Sequence, residues 1–237
     1  GFKVALYQHS AVGRDIIYDI FTALGAEVVP FNRSDKFIPV DTEKVSEDTR
    51  RILKDVARDV KPDVIISMDG DTDRPLLADE NGDFLTGDML GALVSQFLAP
   101  DFAAVPISTN DGAVKMLADM NIKTAQTKIG SPYVVAAMND ELAENPQAKV
   151  VSWESNGGFL LGSDWDINGK TLKALPTRDA ALPLMSAMML AIQQKKTMSQ
   201  LVDTALPHRY TYADVIDNTA PGCENYTAEM GKEIIAM

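Results

Sequence analysis

Residues 69–74 read DGDTDR: Asp69, Asp71 and Asp73 stand at alternate positions and Arg74 follows them. Carboxylates this close repel one another, which raises their pKa values unless a cation or a set of donors compensates. The run before them, Val64–Ser67, is apolar and reads as a short buried strand. The aspartates therefore sit where a strand leaves its sheet, the place where α/β sheets usually bind ligands.

Three chemistries compete for this loop. An EF-hand would use Asp69, Asp71, Asp73 and Glu80 as ligands, but the position that needs glycine for its sharp turn is Arg74, Pro75 follows, and a strand precedes where a helix is required. The aspartyl-nucleophile loop of the HAD phosphatases also ends an apolar strand in Asp-Xaa-Asp, with Asp69 as nucleophile. Here Asp73 stands where that loop usually has Thr or Val, and no later pair of acidic ligands after a strand is evident. The third chemistry is a divalent-metal site in which Asp69, Asp71 and Asp73 are all ligands. Hard oxygen donors in a compact triad suit Mg²⁺, with a phosphate oxygen completing its shell. Arg74 would then lie beside that phosphate as a two-pronged donor. The bland alternative is a solvated acidic turn; the strand before the loop and the arginine after it favour the metal.

The positioning elements follow from periodicity. Strand and helix signals alternate through residues 3–98, with Asn81-Gly82 between Leu76-Leu77-Ala78 and Phe84-Leu85 as a hairpin signal. Ala99-Pro100-Asp101 looks like a boundary, because the cycle restarts there. Strands are expected at 103–107, 123–127 and 148–153, and helices at 111–120, 132–142, 179–195 and 199–205. The expected fold is α/β, with two consecutive similar domains over 1–100 and 101–217, each a mixed sheet flanked by helices. Residues 218–225 read as a linker and 226–237 as a helix that opens a further domain.

Composition bounds the function. The chain has 237 residues, 46% of them hydrophobic and 24% charged, in the range of globular proteins. A formal charge of −12 argues against non-specific nucleic-acid binding. No apolar run reaches the roughly 18–20 residues of a membrane span. The single cysteine, Cys223, rules out an intrachain disulfide and fits a reducing compartment, so a cytoplasmic protein is expected. His9 and Arg14 lie in the first strand–helix turn, where an anion could bind, although a histidine satisfied within the turn fits equally well.

Three segments together resemble the α-D-phosphohexomutases, the family of phosphoglucomutases and phosphomannomutases. DGDTDR matches that family's magnesium loop, flanked by VIISM before it and by a hairpin and GDML after it. TKIGSPYVVAAM at 127–138 is similar to the loop and helix that help close over the sugar, and WESNGG at 153–158 to the sugar-reading GExSGH loop. The resemblance implies that Asp69, Asp71 and Asp73 hold Mg²⁺ and that Arg74 contacts the phosphoryl group or substrate. It implies that Glu154 accepts hydrogen bonds from sugar hydroxyls, that Asn156 bonds a hydroxyl where the family often has Ser, and that Lys128, Ser131 and Tyr133 contact a hexose phosphate. Gly158 stands where the family has His, and Pro132 where many relatives are basic or polar.

The family has four domains, and the resemblance places this chain over the second and third. The phosphoserine loop of the first and the phosphate-binding loop of the fourth have no counterpart here. The implied reaction interconverts hexose 1-phosphate and 6-phosphate through a phosphoserine and a bisphosphorylated sugar, and this portion alone is expected to be inactive. The rival readings are a HAD-like phosphatase and a non-catalytic module that binds metal or sugar phosphate. Without the resemblance, Glu154 would be read as capping the turn at Asn156-Gly157-Gly158.

Overall fold

The computed structural model describes residues 1–207. The expected linker and terminal helix at 218–237, with His208 and Cys223, lie outside the described residues.

The first sheet is built from β1 (Lys3–His9), β2 (Glu27–Arg33), β3 (Val64–Met68), β4 (Pro75–Ala78) and β5 (Phe84–Leu85), with helices α1 (Arg14–Ala23) and α2 (Glu47–Val60) between its early strands. Its order is β2-β1-β3-β4-β5. The first three strands are parallel, and β4 and β5 return antiparallel through the Asn81-Gly82 hairpin.

The second sheet comprises β6 (Phe102–Pro106), β7 (Lys123–Thr127), β8 (Val150–Trp153), β9 (Phe159–Leu161) and β12 (Leu175–Asp179), in the order β12-β9-β8-β6-β7. Here too the first three strands in chain order are parallel and the last two antiparallel. Read by order within each sheet, both units have the same topology, 2-1-3-4-5. Helices α3 (Gly87–Leu98), α4 (Asp111–Asp119), α5 (Ser131–Glu144), α6 (Ala181–Gln194) and α7 (Met198–Ala205) complete the fold, and β10 (Trp165–Ile167) with β11 (Lys170–Leu172) forms a separate hairpin.

Local chemistry sets the helix ends. Ser46 caps α2 by accepting from the Thr49 N–H, and Glu47 and Asp48 lie in its positive first turn. Thr86 caps α3 in the same way, accepting from the Met89 N–H. Strand alternation then divides the apolar side chains between layers. In β1, Ala5 and Tyr7 face α2 with Leu53 and Ala57, while Val4 and Leu6 face the molecule's centre. In the second sheet, Phe102, Ala104 and Val150 pack on α5 through Val134 and Met138.

The central layer is one continuous core that joins both units, running from Phe21 and Ile66 through Leu90 and Leu93 of α3 to Trp153 and Leu184. Helix α3 packs on α4, α6, α7 and β8 of the second unit and also on β4 of the first. A division at 100/101 thus leaves α3 with the first unit by sequence and against the second by packing. No helix among the described residues is long and apolar enough to cross a membrane.

Four strands at the end of the second sheet region carry no sequence expectation: β9, the two of the β10–β11 hairpin, and β12. The hairpin turns on Asn168-Gly169, both at positive φ, the pattern of a two-residue primed turn. Strand β12, LPTRD, contains a proline and is largely exposed at the sheet edge, so no alternation marks it.

Candidate active site

The aspartate loop leaves the third strand of the first sheet and is pinned at both ends. The Asp69 N–H donates to the Arg74 carbonyl (3.0 Å), and the Arg74 N–H donates back to Asp69 Oδ1 (3.1 Å). The turn between β1 and α1 braces it from the side. The Val12 N–H donates to the Gly70 carbonyl, and the Gly13 N–H donates to Thr72 Oγ1 (2.8 Å). His9 belongs to this brace: it is fully buried, and its Nε2 donates to the Met68 carbonyl (2.8 Å). Burial lowers its pKa from the usual value, while its Nδ1 is buried without a hydrogen-bond partner.

Within the loop, one carboxylate oxygen from each of Asp69, Asp71 and Asp73 falls within 4.8 Å of the others. Asp69 is buried, Asp73 half-buried and Asp71 exposed. Burial pushes the Asp69 carboxyl up to about 6, and repulsion from Asp71 and Asp73 adds to the rise. Asp73 Oδ1 is buried with no hydrogen-bond partner. Such an orphan acceptor is costly unless something fills its shell. A converging all-oxygen triad with a buried free lone pair fits a hard divalent cation. Arg74 Nε lies 3.7 Å from both Asp69 Oδ2 and Asp73 Oδ1, too far for a hydrogen bond, and is itself unpaired.

The ESNGG loop occupies the equivalent place after the third strand of the second sheet. The Glu154 N–H donates to the Gly158 carbonyl (3.1 Å), and the Gly157 N–H to the Glu154 carbonyl (2.8 Å). Gly157 needs a positive φ of 90°, which glycine supplies without strain. Helix α3 lies directly over this loop: a Cβ on Gly87 would run into the backbone of Ser155 and Gly157, and one on Gly91 into the Trp153 ring. Asp88 at the start of α3 accepts from Trp153 Nε1 (3.2 Å) and from the Asn110 N–H (2.9 Å), fixing the helix to both β8 and α4.

Of the expected sugar contacts, Glu154 is buried and accepts from Ser131 Oγ (2.7 Å), so these two are brought together. Asn156 Oδ1 accepts from the Gly158 N–H (3.0 Å), closing its own turn, while its carbonyl accepts from Thr42 Oγ1. Lys128 and Tyr133 are exposed, the ammonium 5.6 Å from the ring centre.

The two loops touch. A Cβ on Gly157 would lie 3.1 Å from Pro75, the residue after the aspartate loop. Arg178, from β12, spans them. Its Nε donates to Asp73 Oδ2 (2.7 Å), its Nη2 lies 2.6 Å from the same oxygen, and its Nη1 lies 3.7 Å from Glu154 Oε2. Sequence reasoning missed Arg178, because it lies 105 residues from Asp73. The one usable signal was an arginine in an otherwise unexplained segment.

This pairing of an acidic loop with a glutamate loop, on twin sheets, coincides with known families. The model for phosphoglucomutase/phosphomannomutase α/β/α domain II matches residues 1–82, and that for domain III matches residues 86–209. The chain belongs to the phosphoglucomutase/phosphomannomutase family. A phosphomannomutase of Salmonella muenchen is 48% identical over 212 residues, covering 90% of this chain and 43% of that protein. One of Sinorhizobium fredii is 44% identical over 202 residues, covering 85% and 42%. A crystal structure of a phosphoglucomutase/phosphomannomutase family protein from Burkholderia thailandensis shares the fold, with a TM-score of 0.66 at 16% identity, over 90% of this chain and 44% of that one. The chain thus spans about two fifths of the length of its phosphomannomutase relatives. In family terms, β1 to β4 fall within the domain II match, β5 lies between the two matches, and α3 opens the domain III match.

Proposed function

We propose that this chain forms the two central units of a Mg²⁺-dependent phosphohexomutase, acting on mannose or glucose phosphates. The observation that carries the reading is the contact between the aspartate triad and the glutamate loop, bridged by Arg178. Asp69, Asp71 and Asp73 hold the cation, which supplies neutralisation of charge on the transferring phosphoryl group. Arg74, with its unpaired Nε, adds a donor at the same place. Glu154 accepts from neighbouring sugar hydroxyls and is held for that task by Ser131. Lys128 and Tyr133 line the outer rim, and Asn156 keeps the glutamate loop in shape.

In the whole polypeptide, a first unit contributes a phosphoserine that gives its phosphoryl group to the sugar monophosphate, and a fourth unit grips the substrate's other phosphate. The hexose bisphosphate turns over in the site and returns its second phosphoryl group to the serine. We divide the chain into a metal-binding unit and a sugar-binding unit; α3 packs largely with the latter. One cysteine in 237 residues suits the cytoplasm.

The test uses the chain and its full-length parent. The chain should bind Mg²⁺, bind mannose 1-phosphate, and release no inorganic phosphate; the parent should interconvert mannose 1-phosphate and 6-phosphate only with Mg²⁺. Phosphate release by the chain that vanishes in Asp69→Asn would identify a phosphatase instead.

A further inference from the structure

Arg178 has no part in the reading of the aspartate and glutamate loops as separate devices, yet its side chain is where they meet. Its guanidinium donates from Nε to Asp73 Oδ2 and holds Nη2 in ion-pair contact with the same oxygen, leaving Oδ1 of that carboxylate buried and without a hydrogen bond. The third nitrogen, Nη1, points toward Glu154 but stops at 3.7 Å, beyond hydrogen-bond distance. The guanidinium is thus half committed: one edge fixes a carboxylate of the triad, and the other faces the residue that would hold the sugar.

Position 158 makes this path available. A Cβ there would lie 2.6 Å from Arg178 Cδ and 2.8 Å from its Cγ. The arginine stem occupies the space that any side chain at 158 would need, so Gly158 and Arg178 are one arrangement.

Charge gives the contact a purpose. Asp69, Asp71, Asp73 and Glu154 supply four carboxylates to the paired loops, against the guanidinium groups of Arg74 and Arg178. Glu43, within electrostatic reach of Arg74 and Glu154, adds a further carboxyl whose pKa is raised, chiefly by burial. A divalent cation brings the six paired groups to neutrality. Without Arg178 the loaded site would stay negative, and an anionic sugar would meet net repulsion.

We propose that Arg178 is a ligand-binding residue that joins the two loops into one site, holding Asp73 with one edge of its guanidinium and offering the other to a phosphorylated sugar seated at Glu154, in a space open because residue 158 is glycine. The inference rests on the reading of residues 154–158 as the sugar loop. It predicts effects of opposite sign on the two ligands. Loss of the cationic group beside Asp73 removes repulsion toward the metal, while it removes attraction for the sugar phosphate.

The experiment measures Mn²⁺ binding by electron paramagnetic resonance, and mannose 1-phosphate binding by calorimetry at saturating Mg²⁺, on this chain and its variants. Arg178→Ala should bind Mn²⁺ at least as tightly as the parent chain and mannose 1-phosphate about tenfold more weakly, the loss of one charge-assisted contact. Gly158→Ala should weaken the sugar phosphate similarly by displacing the arginine, and adding it to Arg178→Ala should cause no further loss. Arg178→Gln, which keeps most of the stem, should show the Arg178→Ala pattern even where Gly158→Ala destabilises the chain. Parallel weakening of both ligands in Arg178→Ala would reduce the residue to a structural prop and overturn the inference, as would unchanged sugar-phosphate affinity. A parent chain that binds Mn²⁺ but no mannose 1-phosphate would overturn the sugar-loop reading and this inference with it.

Discussion

The loops at 69–74 and 154–158 are the same device cut to two chemistries. Each leaves the third strand of a 2-1-3-4-5 sheet and enters an antiparallel fourth strand. Each opens on a buried carboxylate, Asp69 or Glu154, whose N–H closes the loop onto its last carbonyl. Three residues on, each chain crosses to positive φ, at Thr72 (70°) and at Gly157 (90°), with that residue's N–H donating to the first carbonyl. The difference is what fills the alternate positions. Asp71 and Asp73 set like charge beside Asp69, a triad that could hold a cation; Asn156 and Gly158 add no charge and leave Glu154 an acceptor served by Ser131. A shared backbone scaffold therefore fixes where a carboxylate points, and its neighbours decide whether it meets a metal or a hydroxyl.

The largest expected effect comes from what holds the two loops together. Trp153→Ala should cost about 3–5 kcal/mol in urea unfolding of the chain, because it empties a fully buried indole site against Gly91 and removes a donor to Asp88. A loss of under about 1 kcal/mol would mean that α3 does not fasten the glutamate loop as described.

The paired carboxylates should then separate cleanly. Asp69→Asn is expected to lower cation affinity by about 100-fold or more, beyond the range seen for outer-shell partners, and to leave mannose 1-phosphate affinity without metal nearly unchanged. Glu154→Gln should do the reverse, keeping cation affinity and weakening the sugar phosphate by about tenfold, the value of one charge-assisted hydrogen bond. Calorimetry with each ligand alone reads both, and identical profiles for the two variants would break the comparison.

Smaller effects test the turn itself. Gly157→Ala should destabilise the chain by about 1–3 kcal/mol, since the new Cβ meets Pro75 and the backbone is left-handed. Thr72→Gly should change stability by less than about 1 kcal/mol, as relief of its left-handed backbone offsets the lost bond from the Gly13 N–H. Thermal or urea unfolding measures both; a Thr72→Gly loss as large as that of Gly157→Ala would show that the two turns are not equivalent.

Much of this was legible in the chain. The alternation of strand and helix through residues 3–98 is observed, the strands and helices expected after residue 100 lie near β6 to β8 and α4 to α7, and DGDTDR marks by composition alone the three carboxylates that converge. The strands after Gly158 were not legible. The Trp165–Leu172 hairpin did carry its Asn-Gly signal, but its three-residue strands are too short for alternation to show. Leu175–Asp179 is an edge strand with a proline and exposed faces, so neither periodicity nor apolar density marks it. Arg178 went unread with it. Helix α3 looks in sequence like the end of the first unit, because local order cannot reveal that it packs chiefly on α6.

The sequence by itself determined the chemistry on offer: three carboxylates at alternate positions, an arginine beside them, a glutamate at a strand end, and the repeat of strand and helix that carries both. Those properties are local, set by residue type and by periods of two and 3.6 residues. Tertiary structure alone decided that the two loops meet. Their contact depends on a core that runs through α3 from one sheet to the other, and on an arginine more than a hundred residues from its partner reaching across a glycine. Contacts at that separation follow from packing, which no local pattern records.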